Sequence, residues 1–214
     1  MPKRRTPEAT RRHAWRPSWV VRLLCAGAIY AVLVLPWPGV QSGYALLYRV
    51  VCHFGLNAIF SPADVIVTRL AASDGRSGNG FDTRVDVQVR RASMYFPLSA
   101  RRSGYLYAAL LFALVVVSPI PGRRRVRALL IGLPLLHAPV VVGVAAKVVS
   151  VMCDTPEIAS VPFPAWAGPL ASYATEALLR SRSILTGITL AIWVGLTLRA
   201  DDVNERPKRD GSNM

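Results

Sequence analysis

Acidic residues are scarce in this chain of 214 residues: 12 Asp and Glu stand against 26 Lys and Arg, a formal net charge of +14, although 52% of the residues are hydrophobic. Charge and apolar side chains are kept apart, and residues 128–146 (ALLIGLPLLHAPVVVGVAA) contain no formally charged group. A soluble domain of this length interleaves the two. The segregation therefore argues for apolar spans separated by basic loops.

Other absences remove classes of chemistry. The sequence holds no phosphate loop, no dinucleotide fingerprint, no Cys/His cluster at metal spacing and no paired carboxylates within an apolar run. Transport and catalysis thus lack a motif, and no cofactor is expected. Three cysteines without a Cys-x-x-Cys disfavour a disulfide oxidoreductase. The positive charge has no folded basic face with aromatic or helical readers beside it, so nucleic acid is not an expected partner. Instead the arginines abut apolar runs: Arg11, Arg12, Arg16 and Arg22 precede the first, and Arg123, Arg124, Arg125 and Arg127 separate the second from the third. That placement suits topology signals and contacts with anionic membrane lipids.

What is present predicts an α-helical integral membrane protein of about four transmembrane helices with a small extracytoplasmic β-hairpin region. The first span is expected at 23–40, bracketed by Trp19 and Trp37 as interfacial aromatics. The second covers 105–121, ended by Pro119 and Pro121. The third covers 128–151, with Lys147 able to carry its amine to the interface and with kinks expected at Pro134 and Pro139. The fourth, 184–198, lies between Arg182 and Arg199.

Lys and Arg number seven before residue 23, four in the 122–127 loop and four in the 199–214 tail. This places 1–22, 122–127 and 199–214 in the cytoplasm, and exports 41–104 and 152–183. A cleaved signal peptide over 1–42 and a twin-arginine signal at Arg11-Arg12 are competing readings. The long basic leader and the poor match after the arginine pair favour an uncleaved anchor.

In the first exported loop, Leu47, Val51 and Phe54 recur near helical spacing, predicting an interfacial helix over 44–60. A hairpin is expected over 64–90, with a turn at 73–80 and strict alternation from Arg84 to Arg90. An isolated hairpin is marginal in water, so its Val85, Val87 and Val89 face is expected to lie on the second loop, the membrane or a partner. Pro162 to Trp166 and a short helix over 170–180 offer one such surface.

Cys52 and Cys153 both fall on the exported, oxidising side. They are read either as a disulfide joining the loops or as separately buried thiols. Cys25 lies in the first span as a small apolar residue. Cys52-His53 invites a nucleophile reading, but adjacent helical residues point about 100° apart. His137 sits midway along the third span and reads as a relay, ligand or partner contact, or as a neutral imidazole donating to a carbonyl freed by the prolines. Gly187, Ala191 and Gly195 recur every four residues as a helix-packing face, echoed more weakly by Gly27 and Ala31.

The alternating Val85, Val87 and Val89, then Tyr95-Phe96-Pro97-Leu98, then Tyr105 to Pro119 and the Arg123 to Gly132 boundary resemble the exosortase H-associated membrane proteins. The layout covers most of the chain. The resemblance implies residence in a Gram-negative inner membrane beside an exosortase, a membrane protease-transpeptidase handling proteins with a C-terminal sorting signal. A non-enzymatic accessory role with a membrane-protein partner is the function it implies. The alternatives are a thiol-dependent membrane enzyme using Cys52 or Cys153, and a small transporter or channel centred on His137.

Overall fold

The computed structural model describes residues 19–35, 37–60, 65–70, 81–89, 92–155 and 163–197. The basic N-terminus up to residue 18, the turn at 73–80, Pro162 and the tail from 198 lie outside them, as does the side chain of Val89.

Proline sets the first boundary. The run expected as one span over 23–40 is two helices, α1 (Trp19–Val34) and α2 (Pro38–Asn57), whose axes meet at 86°. Trp37 is extended at φ −84°, ψ 108°, as a residue before proline prefers, and Pro38 enters the first turn of α2, where no N–H is needed. Trp37 therefore does not mark the far end of one continuous helix. Its indole N–H folds back to donate to the Val32 carbonyl at 2.9 Å.

The hairpin forms where alternation predicts it. Strands β1 (Val65–Arg69) and β2 (Thr83–Val89) pair antiparallel, with Val65 opposite Val87 and Val67 opposite Val85. A third strand, β3 (Ala92–Leu98), pairs with β2 and completes the order β1-β2-β3. Pro97 is tolerated there because β3 is an edge strand.

The inner face of the sheet is not an orphan. Val65, Val85 and Val87 are fully buried, in one core with Tyr48, Cys52 and Leu56 of α2. The expectation of a partner-facing Val85/Val87 surface is therefore corrected: α2 packs against the sheet and supplies the cover that two strands alone lack. Ala45, Tyr48, Cys52 and Leu56 form the buried side of α2, while Leu46, Leu47, Val50 and Phe54 remain exposed.

A single π-helical turn (Arg101–Tyr105) leads directly into α3 (Leu106–Val117), so this helical segment starts before the predicted residue 105. It stops at an extended Ser118, ahead of Pro119 and Pro121. Helix α4 (Gly122–Asp154) then runs 33 residues without interruption through Pro134 and Pro139. The arginine cluster expected as a loop over 122–127 forms its first turns, since arginine is a good helix former and Pro121 only precedes it. Helix α5 (Ala167–Thr175) continues as a π-helical turn (Glu176–Arg180), and after a 68° bend the chain enters α6 (Arg182–Thr197).

Among the described residues α4 alone is long and apolar enough to cross a membrane; α1 with α2, and α5 with α6, pass the same test only as bent pairs. Helices α1 and α6 have 16 residues each, short of the ~20 that a hydrocarbon core requires.

The helices nevertheless form one bundle. The start of α1 (Trp19, Arg22) lies beside the end of α3 (Val117, Ser118) and Trp193 of α6, whereas Leu33 and Val34 meet Tyr105 and Arg101. Helices α1 and α3 are therefore antiparallel. Gly132 of α4 lets Leu111 of α3 and Ile192 and Leu196 of α6 approach closely. Helix α2 crosses α4 near its middle, with Tyr44 at His137 and Gly55 at Val141. The sheet reaches the end of α4, where Thr155 meets Met94, and Arg123 to Arg127 stand at the start of α4. The final third of α4 carries α5, through Ser150 against Ser172 at 3.1 Å and Cys153 against Gly168.

Candidate functional site

His137 is 5% exposed and uses both ring nitrogens. Its Nδ1 lies 2.7 Å from the Leu133 carbonyl, which can only accept, so Nδ1 carries the proton and donates. Nε2 is then an acceptor, and the Tyr44 hydroxyl of α2 donates to it at 2.9 Å. The neutral imidazole expected from the sequence has a different carbonyl partner. Pro134 and Pro139 vacate the carbonyls four residues before them, those of Leu130 and Leu135, whereas His137 donates to Leu133. The residue that sequence reasoning missed is Tyr44, 93 positions away.

Tyr44 is held from two sides. Its ring meets Tyr105 edge-on at 5.2 Å between centroids, and a Cβ added at Gly104 would collide with its hydroxyl. Tyr48, one turn on, is fully buried, its hydroxyl lying near Cys52 and Ser103 without a hydrogen bond of ordinary geometry to either.

The same π-helical turn finishes α1. A helix leaves its last four carbonyls without intrahelical partners. Here Tyr105 Oη donates to Leu33 at 2.5 Å and Arg101 Nη2 to Val34 at 2.9 Å, with the Trp37 indole on Val32. An arginine at that end also complements the partial negative charge of the helix terminus. Arg101, Gly104 and Tyr105 thus fasten α1, α2 and α3 at one junction.

The cysteines do not converge. All three are free, so the Cys52–Cys153 disulfide admitted by the sequence is not formed: Cys52 lies in the core beneath the sheet and Cys153 packs on Gly168 near the end of α4. Cys52 is 1% exposed, and burial pushes its thiol from 9.0 up to about 12. His53 turns away to Asn57, 3.0 Å from its amide, as the 100° offset between neighbours predicts. A buried thiol without an adjacent base is a poor nucleophile. Among the described residues no group of three or more His, Cys, Asp and Glu gathers at metal-binding distance.

Among the described residues, two outward faces stay uncovered. A groove of ≈ 610 Å³ runs between α2 and α4, with Leu47, Val51, Leu130, Pro134 and Val142 among its apolar walls and His137 at its lining. On α6, Leu185 and Thr189 are buried, while Gly187, Ala191 and Gly195 face outward, and a Cβ placed on either glycine meets nothing within 4 Å. The small-residue stripe read from the sequence is therefore not used for packing inside the described fold. Gly27 of α1 is likewise open.

Comparisons with protein-family models, with curated proteins and with solved structures found no match.

Proposed function

We propose that this chain is a non-enzymatic accessory protein of a bacterial inner membrane, which docks a larger membrane enzyme through the outward face of α6. The observation that carries the reading is the stripe Gly187, Ala191, Gly195, which is exposed and unfilled although small residues at this spacing serve close helix approach. The resemblance to exosortase H-associated proteins supplies the class of partner, an exosortase-type enzyme of protein sorting.

In this reading α1, the helical segment from Arg101 to Val117, α4 and α6 each cross the membrane. Both termini are cytoplasmic, α2 lies along the exported surface, and the sheet is exported. Two features support it. The arginine end carries Trp19 and Trp193 in the position of interfacial aromatics. Sixteen residues reach about 24 Å as a helix, a length that flanking aromatics and arginines extend to the interface.

The test is co-purification in mild detergent with a co-expressed exosortase-type enzyme, for the wild type and for a Gly187→Leu/Gly195→Leu variant. The open space at both glycines predicts an unchanged fold and loss of the partner. A variant that retains the partner at wild-type yield overturns docking through α6.

A further inference from the structure

The arginine end of the bundle holds a second cavity with a distinct composition. It is a crevice of ≈ 230 Å³ between α1, α3 and α6, walled by Trp19, Leu23, Leu114, Val117 and Trp193, with Arg22 and Ser118 completing it. The Arg22 guanidinium lies 5.4 Å from the centroid of the Trp19 ring. From α4, Arg125 donates from Nη2 to the carbonyl of Ser118, one of the crevice residues, at 3.1 Å, while its Nε is buried without an acceptor. Arg123, Arg124 and Arg127 are exposed beside it. The acidic groups among the described residues, Asp82, Asp86, Asp154 and Glu176, all belong to the sheet, the end of α4 or the turn after α5. No described counter-charge faces these arginines.

We infer that this crevice binds one anionic phospholipid of the cytoplasmic leaflet, its acyl chain entering between α1, α3 and α6 and its phosphate held by Arg22, with the charge of Arg125 behind Ser118. The inference rests on the four-crossing reading above. The Arg22 guanidinium lines the crevice, and a guanidinium fork matches phosphate geometry. Free phosphate satisfies the arginines and leaves the apolar walls empty. A neutral lipid fills the walls and leaves the charge unmatched. An anionic lipid does both.

The experiment is native mass spectrometry of the full chain released from detergent, titrated with phosphatidylglycerol or with phosphatidylcholine of the same chains. Phosphatidylglycerol is expected to be retained preferentially. Arg22→Gln reduces that preference about fivefold, the share of one arginine near a phosphate, whereas Arg180→Gln at the opposite end leaves it unchanged. Val117→Phe, which fills the crevice and keeps every charge, also lowers retention, and thermal unfolding in detergent verifies that each variant is folded. Equal retention of the two lipids overturns the site, as does an unchanged preference in folded Arg22→Gln. Stabilisation by inorganic phosphate equal to that by phosphatidylglycerol overturns the lipid assignment. A chain that leaves membranes in an alkaline wash without detergent refutes the crossings themselves; one that needs detergent but shows no lipid preference refutes this site alone.

Discussion

The Tyr44 hydroxyl donates to Nε2 of His137 at 2.9 Å, joining α2, which covers the sheet, to α4, the longest helix of the bundle. Breaking this bond from one side leaves a buried acceptor or donor unpaired, at about 1–3 kcal/mol. Tyr44→Phe and His137→Leu are each expected to lower thermal stability in detergent. A double-mutant cycle is expected to show coupling of about 0.5–3 kcal/mol. Strictly additive losses would mean that the two side chains do not meet.

Gly104 is the position that makes room for this contact. A methyl group there collides with the Tyr44 hydroxyl, so Gly104→Ala is expected to destabilise by about 1–3 kcal/mol, as overpacking does. The penalty should shrink in a Tyr44→Phe background, where the oxygen is gone. An equal penalty in both backgrounds would place the strain elsewhere.

The two sides of α2 should respond oppositely to truncation. Leu56 is fully buried, and Leu56→Ala is expected to cost about 2–5 kcal/mol. Phe54 is 70% exposed, and Phe54→Ala is expected to change stability by less than about 0.5 kcal/mol. Detergent-phase unfolding of the two variants side by side measures the contrast; a reversed order would turn the helix over.

Cys52 carries a pH signature. Its folded-state thiol titrates at about 12, above the ordinary 9.0, so the folded state holds the proton more tightly than the unfolded one. The stability this contributes is complete below pH 9 and is lost as pH rises from 9 towards 12. Cys52→Ser should remove that component of alkaline destabilisation. Maleimide labelling at pH 8 is expected to spare Cys52 until the chain unfolds, and rapid labelling of the folded protein would contradict its burial.

How much of this is written in the sequence differs by element. The third and fourth apolar stretches announce α4 and α6, and the alternation of Val85 and Val87 announces β2. The pattern of α2 is ambiguous, because Leu47, Val51 and Phe54 signal a helix while its packed side is Ala45, Tyr48, Cys52 and Leu56. A helix that is apolar on opposite sides does not declare which side is buried. That ambiguity is why the hairpin face reads as unpartnered. Strand β3 is masked by exposed Ser93, Met94 and Tyr95 and by Pro97. The break before Pro38 is visible in the letters, yet the hydropathy of the run hides it. No local pattern encodes the Tyr44–His137 contact or the capping of α1 by Arg101 and Tyr105, since these join residues more than 60 positions apart. The outward stripe on α6 is legible as a spacing, but only the packing of Leu185 and Thr189 fixes which way it faces.

The capping of α1 also orders events in time. Its last two carbonyls receive their donors from residues 67 and 72 positions further along the chain. At a synthesis rate of about 5–20 residues per second, those donors emerge roughly 3 to 14 seconds after the carbonyls they serve. During that interval water must stand in for Arg101 and Tyr105. The first helix to be made therefore has its far end finished only when the start of α3 arrives.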